Sequence, residues 1–276
     1  MTFRIAQISK LIVLACTTLF TFITPPTQAQ GLNFGKSNSD APIEVYADDG
    51  IEWQQDTLTF LARGNARAIR GEVTVYGDEL RAFYRKLDDG STEIWRLDVT
   101  GKVKIVTPGE TAFGDKGVYD VDNAILVLTG KKVRLLTPTD EVTADQQIEY
   151  WEYKQMAVAR GNAQVLSKDR NLRAEVIVAY FKTSNNGKSA IHRVEAFNDV
   201  IVKSAKERAT SDRGVYSVES GVAILTGSVK ITQDGNQLEG CKAQINLNSG
   251  ISKMFSCANG DGGQVGGVFK STKKTK

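Results

Sequence analysis

The feature that most constrains the fold is an internal duplication. The segment Ala62–Ala66 recurs unchanged as Ala159–Ala163, at an offset of 97 residues. We therefore predict two copies of one structural unit, residues 44–140 and 141–237. When the two copies are aligned without a gap, their first 87 positions share 26 identities. Agreement over that length is typical of a tandem duplication, and it restricts the fold to one that can repeat along an axis.

Each copy contains a shorter unit, marked by a glycine or an asparagine inside an alternating run. In Val99–Ile105, apolar and polar residues alternate on both sides of Gly101. Alternation rich in Val, Ile and Thr predicts half-buried strands, and a glycine within such a run predicts a bulge or a sharp bend. The markers, which are spaced by 37, 29, 31, 37 and 29 residues, are Gly64, Gly101, Gly130, Gly161, Asn198 and Gly227.

The number of alternating runs predicts an all-β fold. About fifteen short strands fit between turn signals such as Asp88–Gly90 and Asn248–Gly250, and helical periodicity is weak throughout. Many antiparallel strands in a stacked, duplicated order predict an elongated β-jelly-roll or β-sandwich, with a β-solenoid as the alternative. Two layers of such strands, about 4.8 Å apart, would form a rod of roughly 35–40 Å.

The strands carry one apolar face and one charged face. The apolar face is either a filled sandwich core or an open hydrophobic slot, and the pattern alone fits both. If the slot is open, the residues predicted to line it are Phe60, Leu97, Val99, Val103, Ile105, Leu126, Leu128, Val133, Leu135, Val200 and Val202. The residues predicted on the charged face are Arg63, Arg67, Lys102, Lys104 and Arg134.

Residues 1–29 have the pattern of a secretory signal peptide. A positively charged start precedes an apolar run over residues 11–22, and small residues lie at the cleavage positions near Ala29. An uncleaved membrane anchor is one alternative, and a lipoprotein modified at Cys16 is another. We expect the leader to be removed and the mature chain, a folded domain over residues 30–257, to be exported.

Two cysteines remain after removal of the leader. An even number of cysteines in an oxidising compartment predicts a disulfide between Cys241 and Cys257, with two buried thiols as the alternative. The chain has no Cys-x-x-Cys motif, so we expect a structural bond rather than a redox site. Residues 258–276 are rich in glycine and lysine and predict a flexible tail.

Charge and composition argue against several classes of function. The formal charge is +3, but the leader and the last seven residues contain six of the cations and leave about −3 on the remainder. A basic body that binds nucleic acid is therefore disfavoured. The single histidine, His192, cannot build a histidine-rich metal site, and no set of residues suggests a nucleophile with its base. We predict no metal, no cofactor and no enzymatic activity.

The ordered repetition of several short motifs resembles the OstA-like family of periplasmic lipopolysaccharide-transport proteins, in particular its LptA-type members. The motifs are Ala47-Asp48 followed by Trp53, then Arg63–Ala66, then Leu128–Gly130, each with an equivalent in the second copy. Together they extend over about residues 42–247. The resemblance implies a twisted jelly-roll in the periplasm, whose slot holds the acyl chains of lipopolysaccharide as they pass from the inner to the outer membrane.

The terminal edges of such a stack would invite the addition of further strands. We predict edge pairing at Ile43 and Val45 at one end and at Ile245 and Leu247 at the other. The expected partners are a second copy of the chain, an LptC-like protein and an LptD-like protein. Two alternatives stay open, namely an exported structural or assembly protein with a filled core and a polysaccharide-active β-solenoid enzyme.

Overall fold

The structure is a computed structural model that describes residues 43–184, 189–257 and 264–269. The predicted leader, with Cys16 and the cleavage site near Ala29, and most of the predicted tail lie outside the described residues. Over the described ranges every regular element is a β-strand, and no helix is long and apolar enough to cross a membrane. The all-β class is confirmed.

Eighteen strands make up the described part of the chain, and every pair of neighbours is antiparallel. The sequence predicted about fifteen strands, and the described part of the structure has eighteen. The strands are β1 (Glu44–Tyr46), β2 (Gly50–Gln54), β3 (Thr59–Arg70), β4 (Val73–Lys86), β5 (Thr92–Val106), β6 (Thr111–Asp120), β7 (Ile125–Thr129), β8 (Val133–Leu136), β9 (Asp140–Ala144), β10 (Gln147–Trp151), β11 (Met156–Ser167), β12 (Arg170–Thr183), β13 (Ser189–Ser204), β14 (Glu207–Ser217), β15 (Val222–Gln233), β16 (Asn236–Asn246), β17 (Ile251–Phe255) and β18 (Gly266–Val268).

The glycine and asparagine markers are corners at which a strand bends. Five of the six begin a pair of residues with positive φ, and each pair coincides with a shift in strand register. The five pairs are Gly64–Asn65, Gly101–Lys102, Gly161–Asn162, Asn198–Asp199 and Gly227–Ser228. The sixth marker, Gly130, separates β7 from β8, whereas the second copy has the continuous strand β15 at this place.

Asparagine side chains secure the same corner in both copies. The Asn65 Nδ2 atom donates a hydrogen bond to Asp48 Oδ2 at 2.7 Å, and Asn162 Nδ2 donates to Asp145 Oδ2 at 3.0 Å. Asparagine adopts the left-handed conformation more readily than most residues, and here its amide also ties the corner to the preceding turn. The repeated Ala-Asp and Gly-Asn motifs are thus explained by one local interaction.

Because the long strands bend, each contributes to two layers. The first half of β3 pairs with β2 and its second half pairs with β1, and β11 is divided in the same way between β10 and β9. We call the two layers the β2 layer and the β1 layer. The β2 layer contains β2, β7, β10 and β17, the β1 layer contains β1, β8, β9 and β18, and each also contains one half of every other strand.

Each layer is therefore a stack of fourteen strand segments. Thirteen spacings of about 4.8 Å correspond to a length of roughly 60 Å. The rod of roughly 35–40 Å predicted from the sequence was too short, since that prediction assigned each strand to a single layer.

The interior between the layers is apolar and the outer surface is charged, as the alternation predicts. A continuous buried cluster runs from Val73 to Val200, and a second cluster continues it from Ala209 to Ile245. On the outer surface the predicted charged residues pair with acidic or aromatic neighbours. Examples are Arg63 Nε with Glu79 Oε2 at 3.3 Å and the Arg67 guanidinium 4.6 Å from the centre of the Tyr46 ring.

Candidate functional site: two apolar cavities between the layers

The first cavity, here called the N-terminal cavity, has a volume of about 350 Å³ and lies between the first rows of the two layers. Among the predicted slot residues, those on its wall are Phe60, Leu97, Val99, Ile105 and Leu126. Ile43 and Val45 from the start of the chain and Ile51 from β2 also line it, and all three are exposed. The N-terminal cavity therefore reaches the first strands of the stack, where the apolar interior meets solvent.

The second cavity, here called the C-terminal cavity, has a volume of about 660 Å³. Strands from β8 to β16 form its walls, so most of it lies within the second copy. Three of the predicted slot residues, Leu135, Val200 and Val202, are on its wall. The other wall residues are mainly aliphatic, with Phe181 and Tyr216 as the aromatic members. A space of this shape and chemistry suits chains of methylene groups, each of which gains about 0.8 kcal/mol when it is buried.

Three predicted slot residues line neither cavity. Val103, Leu128 and Val133 are 1%, 2% and 0% exposed and belong to the packed core. All three side chains are enclosed by neighbouring core residues, which leave no space beside them. For these residues the structure differs from the prediction, because parity identifies the inward side of a strand but not whether neighbouring side chains fill the space beside it.

Aromatic side chains, of which Tyr150 is buried and Tyr119 and Phe181 are half-buried, occupy the region between the two cavities. Tyr119 lines the N-terminal cavity, and its hydroxyl donates a hydrogen bond to Glu152 Oε1 at 3.2 Å. Tyr150 is 5% exposed and packs edge-on against Phe181, a wall residue of the C-terminal cavity, with ring centres 6.1 Å apart. Burial, followed by the nearby Glu152 carboxylate, raises the pKa of both tyrosines above that of an exposed tyrosine.

Polar residues border the C-terminal cavity along the turns of the β1 layer. These turns share a pattern in which a threonine or serine is followed three residues later by a charged residue: Thr107 to Glu110, Thr137 to Asp140, Ser167 to Arg170 and Ser204 to Glu207. Glu110, which is only 6% exposed, was not predicted from the sequence. Burial raises its pKa to about 8. The sequence did contain one signal for it, because position 207, the equivalent of position 110 in the second copy, is also a glutamate.

At the N-terminal end of the stack, the residues predicted to pair with a further strand lie in or beside an edge strand. β1, which contains Val45, pairs with β3 alone, and β2 likewise pairs only with β3, so both are edge strands in the part of the chain that the structure describes. At the other end the prediction was wrong. Ile245 pairs with both Ala223 and Ser252, and β16 therefore lies inside the stack.

Within the described residues, the edge at the C-terminal end is formed by two short strands that were not predicted from the sequence. β17 pairs with one half of β16 and β18 with the other, and Ile245 and Leu247 instead line the C-terminal cavity. Residues 266–268, within the segment predicted to be a flexible tail, form β18. The glycines of this segment concealed its pairing, since glycine is depleted in strands.

Cys241 and Cys257 form a disulfide with a Cα–Cα distance of 5.0 Å. Cys241 belongs to β16 and Cys257 follows β17, so the bond attaches the last strand of the β2 layer to its neighbour. Among the described residues, no three His, Cys, Asp or Glu side chains come together in a way that could hold a metal ion. His192 lies 6.5 Å from the Tyr180 ring, centre to centre.

An antiparallel sheet that bends into two layers, with apolar cavities between them, defines an open β-jelly-roll with an apolar interior. This chain belongs to the LptA/(LptD N-terminal domain) LPS transport protein family, whose model matches residues 44–150 and 141–251. The resemblance to the OstA-like family is thus confirmed, and the family is one of transport proteins rather than a class of enzymes.

Two individual proteins are similar to this chain. Uncharacterized protein R00383 of Rhizobium meliloti (strain 1021) is 27% identical over 113 residues, which are 40% of this chain and 59% of that protein. The crystal structure of LptH from Pseudomonas aeruginosa, described as the LptA homologous periplasmic component of the lipopolysaccharide transport device, aligns over 85% of this chain and 99% of its own. The sequence identity is 13% and the TM-score is 0.22, a superposition too loose to bear on the details of either structure.

Proposed function

We propose that this chain is a periplasmic lipid-binding bridge that carries lipopolysaccharide from the inner to the outer membrane. In this proposal the signal peptide is cleaved near Ala29, the acyl chains occupy the two cavities, and the sugars and phosphates stay in water. The observation that carries the proposal is an interior that remains apolar yet unfilled along both copies. No cofactor and no catalytic step are required, because burial of methylene groups supplies the binding free energy.

The ends of the stack support the choice of partners. β1 and β2 at one end and β17 and β18 at the other leave backbone hydrogen-bonding groups available for a further strand. Strand addition by like-folded proteins would continue both layers and the apolar interior between them. We propose an LptC-like protein, an LptD-like protein and a second copy of this chain as the occupants of these edges.

Photo-crosslinking tests whether the cavities hold lipid. A benzophenone amino acid replaces Phe60, which lines the N-terminal cavity and is 36% exposed. The matched control replaces Tyr76, an aromatic residue of the outer surface that is 37% exposed and lies against Lys104. We expect lipopolysaccharide to be captured at position 60 and not at position 76, detected by mass spectrometry on protein from the native envelope.

A second probe pair examines the C-terminal cavity. Phe181 lines this cavity, whereas its neighbour Tyr180 lies beside Arg193 on the outer surface. Folded protein that captures no lipid at position 60 or 181 would overturn the proposal and favour a structural or assembly protein. Equal capture at inward and outward positions would also count against an interior site.

A further inference from the structure

Glu110 is the last residue of a well-ordered turn between β5 and β6. Its backbone carbonyl accepts hydrogen bonds from the Thr107 amide at 2.9 Å and from Thr107 Oγ1 at 3.4 Å. Its side chain lines the C-terminal cavity and is 6% exposed. The Oε2 atom is buried and has no hydrogen-bond partner among the described residues. A buried polar atom left without a partner costs about 1–3 kcal/mol, so it calls for an explanation.

The equivalent turns do not share this feature. In the next turn of the β1 layer, the Asp140 carboxylate accepts hydrogen bonds from Thr139 Oγ1 and from Ser167 Oγ. In the second copy Glu207 is half-buried and can reach solvent. Glu110 is thus the carboxyl at this border that faces an apolar cavity with an unsatisfied oxygen.

The protonation state of Glu110 fits a hydrogen-bond donor. Burial raises its pKa to about 8, so the carboxyl is mainly neutral at neutral pH. A neutral carboxyl provides one O–H donor and retains an acceptor. The Tyr150 hydroxyl and the Glu152 carboxylate lie in the same region, with Tyr150 on β10 of the opposite layer and Glu152 in the turn that follows β10. A polar group of a ligand could therefore be accommodated at this point, next to space suited to its apolar chains.

We propose that Glu110 is a hydrogen-bonding contact for the ester or amide carbonyl that links an acyl chain to the headgroup of a lipid in the C-terminal cavity. This inference rests on the proposed function, since it requires acyl chains in that cavity. A carbonyl oxygen is an acceptor without a donor, and it matches the O–H of a neutral carboxyl. The position also fits, because Glu110 lies at a turn where the apolar wall meets the border of the layer, and an acyl linkage lies between apolar chains and a polar headgroup.

The test uses two water-soluble probes that differ only at the linkage. Dioctanoyl phosphatidylglycerol has ester carbonyls, and its dioctyl ether analogue has none. Isothermal titration calorimetry measures the binding of each to the full chain. For the wild type we expect the ester to bind roughly 3- to 10-fold more tightly than the ether, the ratio that one net hydrogen bond supplies. Glu110→Gln keeps a donor and should retain the preference, whereas Glu110→Leu and Glu110→Met should bring the ratio close to one.

The matched control is Glu72→Leu, which removes an exposed carboxyl from the turn between β3 and β4 that lines neither cavity, and it should leave the ratio unchanged. Circular dichroism on each variant checks folding. Two apolar variants are used so that the test remains possible if one of them does not fold. If the wild type binds both probes equally, or if both apolar variants keep the preference, the inference is overturned while the proposed function stands. If neither probe binds to the wild type, the inference is overturned, while the proposed function is decided separately by the capture of lipopolysaccharide at positions 60 and 181.

Discussion

Glu110 and Glu207 show how one residue in two equivalent places acquires different properties. The duplication places both at the end of the same turn, yet Glu110 is buried in a cavity wall and Glu207 is half-buried. The difference arises because the first turn lies at the partition between the cavities, opposite Tyr150, whereas the second lies further along the stack. Position within the stack, rather than sequence, determines the environment of each carboxyl.

The buried carboxyl of Glu110 predicts that stability depends on pH. Its pKa is about 8 in the folded chain, against 4.5 for an exposed glutamate, so folding favours the protonated form. The contribution of Glu110 to the free energy of unfolding is therefore fully present below about pH 4.5. It is lost as the pH rises towards about 8. We expect Glu110→Gln to gain on the order of a few kcal/mol over the wild type between about pH 5 and pH 8.

Urea unfolding of the two proteins at several pH values across this interval measures the effect. Free energies of unfolding that change in parallel for wild type and variant would contradict it.

Sequence reasoning was successful at this scale where the property is local. Alternation identified which side chains of a strand point inward, and most of the predicted slot residues lie on a cavity wall. It failed where the property depends on distant parts of the chain. Val103 and Val133 have the right parity but are enclosed by core residues of neighbouring strands, and Glu110 lies near Tyr150, a residue of the opposite layer that is distant in sequence.

At the scale of elements, the bend is what turns strands into a two-layered molecule. The sequence showed where the bends lie, because glycine and asparagine interrupt otherwise regular runs. It could not show that the two halves of a strand pair in different layers, since that depends on which neighbours are available on each side of the corner. For the same reason β17 and β18 were missed, and β16 was taken for the edge.

Replacement of a corner glycine should destabilise the fold. Gly161 has a φ of +82°, and an added Cβ would lie 2.5 Å from Cγ and 3.0 Å from Cβ of Gln146. We expect Gly161→Ala to lower the free energy of unfolding by roughly 1–3 kcal/mol, since both backbone strain and a close contact act on the variant. Thermal denaturation followed by circular dichroism provides the measurement.

Gly109→Ala is the control for this change. Gly109 does not have a positive φ, and no atom lies within 4 Å of its added Cβ. The melting temperature of Gly109→Ala should match that of the wild type. If Gly161→Ala also had the melting temperature of the wild type, the role assigned to the corners would be contradicted.

For the whole molecule, the ends of the stack predict how copies associate. Val45 belongs to the edge strand β1 and is 38% exposed. A lysine at such an edge disfavours strand addition, so we expect Val45→Lys to weaken self-association at least about tenfold, or about 1.4 kcal/mol. Sedimentation velocity at increasing protein concentration follows the change.

The same substitution at Val218, which is 42% exposed in the turn between β14 and β15, is the matched control and should associate like the wild type. A wild type that stays monomeric at high concentration, or a Val45→Lys protein that associates normally, would show that the edges do not mediate assembly.

The duplication also means that the length of the stack depends on the number of copies. One copy, residues 44–140 with strands β1 to β8, supplies six rows to each layer. A third copy inserted after residue 140 would lengthen the stack by roughly 29 Å and leave its width and the chemistry of its interior unchanged. The length of such a stack can therefore change by one copy at a time, and each added copy extends the existing core.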